Sequence, residues 1–109
     1  MPGMIETLVI LCTCPDDTTA ERLARGLVEA RHAACVNVLP KVRSFYRWEG
    51  EVRGDDETLL LIKTTQDHFF VIEHWLTEHH PYDVPEVVAL DAAHVSEPYL
   101  RWLRGAVDL

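Results

Sequence analysis

At 109 residues and 48% hydrophobic, the chain is one domain's worth of sequence, enough to bury roughly 65% of its unfolded surface around a single core. Ten basic against eighteen acidic side chains leave a net charge of -8, which weighs against nucleic-acid binding, since tracking a phosphate backbone needs clustered Lys and Arg. No apolar run approaches the roughly 20 residues that cross a bilayer; Met1-Pro2-Gly3-Met4 has no basic region before an apolar segment, so the expectation is no membrane and a cytoplasmic address.

The first predicted strand, Ile5 to Cys12, ends in a continuous apolar run, as a central strand covered on both faces does. Thr13-Cys14-Pro15-Asp16-Asp17 reads as a turn. Thr18, with Glu21 three residues on, has the pattern of a capping box for a helix running to about Arg31. Its Ala20, Leu23, Ala24, Leu27 and Val28 recur at helical spacing and should face inward. A second strand covers Ala34 to Leu39 and is bent or bulged by Pro40. Val42, Phe45, Tyr46 and Trp48 prolong it to a turn at Glu49-Gly50, and Glu51 to Glu57 reads as polar and frayed. Thr58 to Thr64 is a third strand, apolar enough to be central. Thr65 or Asp67 should cap a second helix with Phe69, Ile72, Trp75, Leu76 and His79 on one face. That helix must stop at Pro81, which has no N–H to give and biases His80 away from helical angles. Glu86 to Ala92 is a fourth strand. Ser96 caps a last helix with Pro98 in its first turn and Leu100, Leu103 and Val107 turned inward.

The order β-α-β-β-α-β plus a terminal helix, with no linker or repeat, predicts a single α+β domain over residues 1–109 with a ferredoxin-like antiparallel sheet in the order 4-1-3-2. In that topology the end of the first strand, with Cys12 and Cys14, meets the end of the second helix, with His79 and His80. A thiolate beside an imidazole selects copper or zinc over magnesium or calcium. Cys14 also precedes a helix N-terminus, which favours a thiolate, while Asp16 and Asp17 repel one. Each residue has a plainer reading too. Cys12 and Cys35 suit buried positions in strands, and His79 suits a helix-end cap. Neighbours on a helix such as His79 and His80 point in different directions. Three cysteines, an odd number, argue against a disulfide framework.

The extended stretch from Ala34 to Trp48 outruns the ordinary strand of about five or six residues. Its tip would leave an edge carrying Phe45, Tyr46 and Trp48 exposed, which a lone soluble chain avoids. Coverage by further copies solves this, and a ring of three closes where an open repeat would form fibres.

Ordered motifs from about Leu8 to Leu103 make the chain resemble the CutA divalent-cation tolerance family. They are Cys12-Thr13 with Pro15-Asp16, Ala33-Ala34-Cys35-Val36-Asn37, Ser44-Phe45-Tyr46-Arg47-Trp48-Glu49-Gly50, Leu61-Ile62-Lys63-Thr64-Thr65, His80-Pro81-Tyr82 with Val84-Pro85-Glu86, and Tyr99-Leu100 with Trp102. The resemblance implies a cytoplasmic homotrimer, related in architecture to PII-type signalling proteins, without enzymatic activity and linked to tolerance of divalent metals, copper above all. It places the copper ligands on Cys12, His79 and His80. His80 belongs to the family pattern and His79 to some members only, while Cys14 stands where other members often carry a different residue.

Two other function classes compete: a PII-like assembly module taking a small molecule between subunits, and a copper chaperone. The second wants Cys-x-x-Cys in the loop after the first strand, and Cys12-Thr13-Cys14 is one residue shorter. Enzymatic readings are weaker. The Thr13–Asp17 turn is acidic where a phosphate-cradling loop would carry Arg, and no Walker or Rossmann glycine pattern is present. The central strands lack the exposed aromatics of an RNA-binding sheet.

Overall fold

The computed structural model describes residues 6–107, so the predicted strand start at Ile5 lies outside the described residues. The elements are β1 (Thr7–Cys14), α1 (Asp17–Glu29), β2 (Cys35–Trp48), β3 (Glu51–Thr65), a 3-10 turn (Gln66–His68), α2 (Phe69–His79), β4 (Val88–Asp91) and α3 (Glu97–Ala106). The strands form one sheet in the order β2-β3-β1-β4, with every neighbouring pair antiparallel.

Period-2 alternation along β1 sends Leu8, Ile10, Cys12 and Cys14 to one face, and Leu60 and Ile62 of β3 join them. Ala20, Leu23, Ala24 and Leu27 of α1 and Ile72 and Leu76 of α2 close over that face as the main core. Leu103 and Val107, at the end of the chain, pack with Ala34 in a smaller cluster. The other face of β1, carrying Val9 and Leu11, is only half-buried, so the expectation of a strand covered on both sides holds for one side of a single chain.

Several local expectations are corrected. β1 runs on to Cys14, so the cap of α1 is Asp16 rather than Thr18. Asp16 sits at extended angles and its carboxylate accepts the Thr19 N–H at 2.7 Å, which places Thr18 inside the helix. Val28 ends up 42% exposed, because Leu23 and Leu27 already fill the line of contact. Neither Thr65 nor Asp67 caps α2: the 3-10 turn intervenes, and the Thr65 hydroxyl bonds His68 Nδ1 at 2.7 Å instead. β4 is shorter than predicted, and Ser96 precedes α3 without a side-chain cap bond.

The largest departure is Glu51 to Glu57, which is strand rather than frayed chain. It pairs residue by residue with Val42 to Trp48 beyond a bulge at Pro40 and Lys41, where Lys41 takes φ 63. Backbone hydrogen bonds need no apolar face, and charges alternate across this ladder. Arg43 meets Asp56 at 2.7 Å, and the Tyr46 hydroxyl bonds Asp55. The hairpin stretches the molecule to 46 × 28 × 23 Å and leaves Phe45, Trp48 and Val52 exposed.

Helices α1 and α2 touch where Gly26 lies under the Trp75 ring; a methyl group at position 26 would meet ring carbons at 2.6 and 2.7 Å. Gly→Ala within a helix normally gains up to about 1 kcal/mol. Gly26→Ala should instead lose about 1–3 kcal/mol through overpacking. Gly105→Ala on α3, where an added methyl meets nothing within 4 Å, should show the normal gain. Urea unfolding of the two variants beside the parent chain checks both.

Candidate metal centre

Because the strand pleat repeats every two residues, Cys12 and Cys14 project to the same side of β1, and both are fully buried. Their positions are held by pairing with β3, Cys12 opposite Leu60 and Cys14 opposite Thr58. Thr58 is fixed in turn by its hydroxyl, which donates to Asp17 at 2.5 Å.

His80 arrives from the far end of the chain. Its backbone N–H still bonds the Leu76 carbonyl at 2.8 Å, but its angles are extended (φ -79, ψ 141) because Pro81 follows. That turn swings the ring inward until it is 7% exposed. The Tyr82 N–H donates to Nδ1 at 3.0 Å, so the neutral ring carries its proton on Nε2, which donates to the Thr13 carbonyl at 2.8 Å. Thr13 lies between the two cysteines, so the bond draws the imidazole directly over them. The Sγ atoms of Cys12 and Cys14 and a ring nitrogen of His80 all lie within 4.8 Å of one another. Among the described residues, no carboxylate belongs to this cluster.

The three groups set one another's protonation. The Cys12 thiol donates toward Cys14, and this, with further help from His80, lowers the Cys14 pKa to about 6 against the opposing effect of burial. The same hydrogen bond, then burial and the nearby charges of Cys14, Glu86 and Glu57, push Cys12 well above the usual thiol range. Burial works against a charged His80, but its contacts with Cys14 and with the Thr13 carbonyl outweigh it and raise its pKa. Around the cluster runs a rim of acceptors. Tyr82, whose ring tilts against His80 at 4.7 Å, donates its hydroxyl to Glu57 at 2.7 Å. Glu86 is raised by burial and by Glu57.

Of the residues predicted as ligands, the structure brings Cys12 and His80 together and keeps His79 apart. His79 is exposed, stacks on Trp75 at 4.0 Å with an 18° tilt, and donates from Nδ1 to the Trp75 carbonyl at 2.8 Å. The Arg22 guanidinium reaches its carbonyl at 3.4 Å. The Nδ1 bond goes to a carbonyl one turn back inside the helix and not to one of its last carbonyls, so His79 does not make the helix-end cap anticipated as its plainer role. Cys14 takes the third place. Its spacing from Cys12 carried the signal, and ending the first strand at Cys12 obscured it. Tyr82 entered only as part of the motif His80-Pro81-Tyr82, with no role beside the cluster, and Glu57 was not anticipated, since it lay in the stretch read as frayed.

The family model for the CutA1 divalent ion tolerance protein matches residues 8–106. This chain belongs to the CutA1 family. Among its relatives, the divalent-cation tolerance protein CutA of Thermus thermophilus is 49% identical over 96 residues, covering 88% of this chain and 93% of the relative. CutA of Pectobacterium atrosepticum is 42% identical over 104 residues, covering 95% and 94%. Solved CutA structures superpose closely. The Thermus thermophilus protein gives a TM-score of 0.91 at 46% identity, covering 94% of this chain and 99% of that one. CutA1 of Oryza sativa gives 0.92 at 36% identity, covering 95% of each.

The cluster's protonation can be read directly. At neutral pH the ultraviolet thiolate band should report one ionised cysteine, and it should fade with a midpoint of about 6. Cys14→Ser should abolish the step. Since the folded pKa lies below the ordinary thiol value of 9.0, the stability Cys14 contributes is complete above that value and is lost as pH falls through about 6.

Proposed function

We propose that this chain is a non-enzymatic divalent-cation tolerance protein that holds copper through Cys12 and His80 and works as a homotrimer in the cytoplasm. The observation that carries the reading is the meeting of a sulfur and an imidazole, 68 positions apart in the sequence, inside one buried cluster. Thiol and imidazole donors suit copper and, next to it, zinc. The spacing fits as well. Three donors at about 2.0–2.3 Å from a central ion stand about 4 Å from one another, and those of the cluster lie within 4.8 Å. The names of the relatives, divalent-cation tolerance proteins, agree with this use.

Assembly is supported by the open edges of the sheet. Among the described residues, β2 and β4 each lack a neighbour on one side, and Phe45, Trp48 and Val52 at the hairpin tip, with Val88 and Leu90 on β4, are exposed. A closed ring of three covers both kinds of edge without leaving a growing end. Three free thiols suit a reducing compartment.

A second reading, a PII-like module that takes a small molecule between subunits, draws on an open cleft of about 480 Å³ on one chain, lined by Asp16, Asp17, Lys41, Arg43, Asp56 and Glu57, as the half that a neighbouring subunit would complete. Copper titration separates the two. Under the metal reading, Cys12→Ser with His80→Ala should weaken copper binding by more than about 100-fold, beyond what loss of mere supporting contacts costs. His79→Ala should leave it unchanged. Unaltered affinity in the double variant would favour the cleft. Sedimentation at micromolar concentration should give the mass of three chains, and a sharp single-chain boundary would remove the trimer.

A further inference from the structure

We infer that Cys14 is a metal ligand in its own right and that it makes the site selective for a monovalent, soft cation, Cu(I), held by two sulfurs and one nitrogen. The inference rests on the metal reading above and specifies its ion.

The donor set argues for this first. Cys14 Sγ stands within 4.8 Å of both Cys12 Sγ and the His80 ring, the place that His79 would have had to fill. His79 is committed elsewhere, stacked on Trp75 and bonded to its carbonyl. Exchanging an imidazole for a thiolate softens the site, and soft donors select Cu(I).

Coordination number argues in the same direction. Cys12 and Cys14 are 0% exposed and His80 is 7% exposed, so the donors present little surface to the waters that harder divalent ions retain. A tetrahedral zinc site needs a fourth protein donor or a water, and neither Glu57 nor Glu86 enters the cluster. Three buried donors, with no fourth His, Cys or carboxylate among the described residues, suit an ion content with three.

The strand also keeps both sulfurs available. Residues two apart in a strand have Cα atoms about 6.6 Å apart at the usual rise, at the far end of the range a disulfide accepts. Pairing of Cys12 with Leu60 and of Cys14 with Thr58 holds β1 extended. Both thiols are free in the structure, side by side on one face of the strand. Binding consumes no oxidant. Cu(I) forms two sulfur bonds and one nitrogen bond, and any protons still on the thiols pass to solvent. Both ring nitrogens of His80 are hydrogen-bonded: coordination through Nδ1 costs the bond from the Tyr82 N–H alone, whereas coordination through Nε2 moves the ring proton to Nδ1 and costs both bonds.

The experiment is anaerobic titration of the full chain with Cu(I) against a bicinchoninate competitor, together with copper-edge X-ray absorption on the loaded protein. The parent chain should show two sulfur neighbours and one nitrogen. Cys14→Ser should show one sulfur and lose about 100-fold in Cu(I) affinity, more than removal of a supporting contact would cost. His79→Ala should keep the parent spectrum. Copper bound through one sulfur in the parent chain overturns the inference, whatever the variants do, and so does a Cys14→Ser variant of parental affinity. A parent chain that takes up no copper in either oxidation state overturns the proposed function instead, so the two failures are distinguishable.

Discussion

The hydrogen bond from His80 to the Thr13 carbonyl holds the rim of this protein together. It joins the end of α2 to the end of β1, two elements that the sheet order places near one another but does not by itself lock. Pro81 makes the bond possible by stopping the helix at the residue where the ring can turn inward. Tyr82 completes it: its backbone N–H settles which ring nitrogen carries the proton, and its hydroxyl ties the loop to Glu57 on β3. Two strands and a helix are thereby fastened around two sulfurs within a few residues of chain.

The electrostatics follow from that closeness. Two thiols side by side cannot both ionise at low cost, so one keeps its proton and stabilises the other's charge by donating to it. The imidazole favours the same partner, and the carboxylates of Glu57 and Glu86 disfavour further negative charge. The cluster thus holds one anion, with a donor on either side of it. A site of this kind is prepared for a cation without accumulating repulsion while it waits.

Much of this was legible in the amino-acid sequence. The order of elements, and the meeting of Cys12 with His80, follow from hydrophobic periodicity and from the handedness of crossovers. What escaped did so for physical reasons. The Glu51–Glu57 half of the hairpin has no buried face, so its strand character lies wholly in backbone pairing with β2, which leaves no hydrophobic trace. Pro15 and Asp16 marked a turn correctly, but not that the strand would continue through Cys14 before reaching it. His79 and His80 are neighbours in sequence with opposite fates, separated only by the angle that Pro81 imposes on the second. Strong turn and cap signals locate a corner to within a residue or two, and at this corner a residue or two decides which side chains enter the buried cluster.

The two sulfurs are also part of the wall on which Leu23, Leu27 and Ile72 rest. Architecture and chemistry therefore draw on the same atoms, and a mutation there has two phenotypes at once. On the proposed metal reading, a cell carrying a truncated side chain at Cys12 would lose protein to proteolysis as well as lose its grip on the ion. Genetic screens that score survival alone would merge the two losses, and abundance has to be measured before sensitivity to metal can be ascribed to coordination.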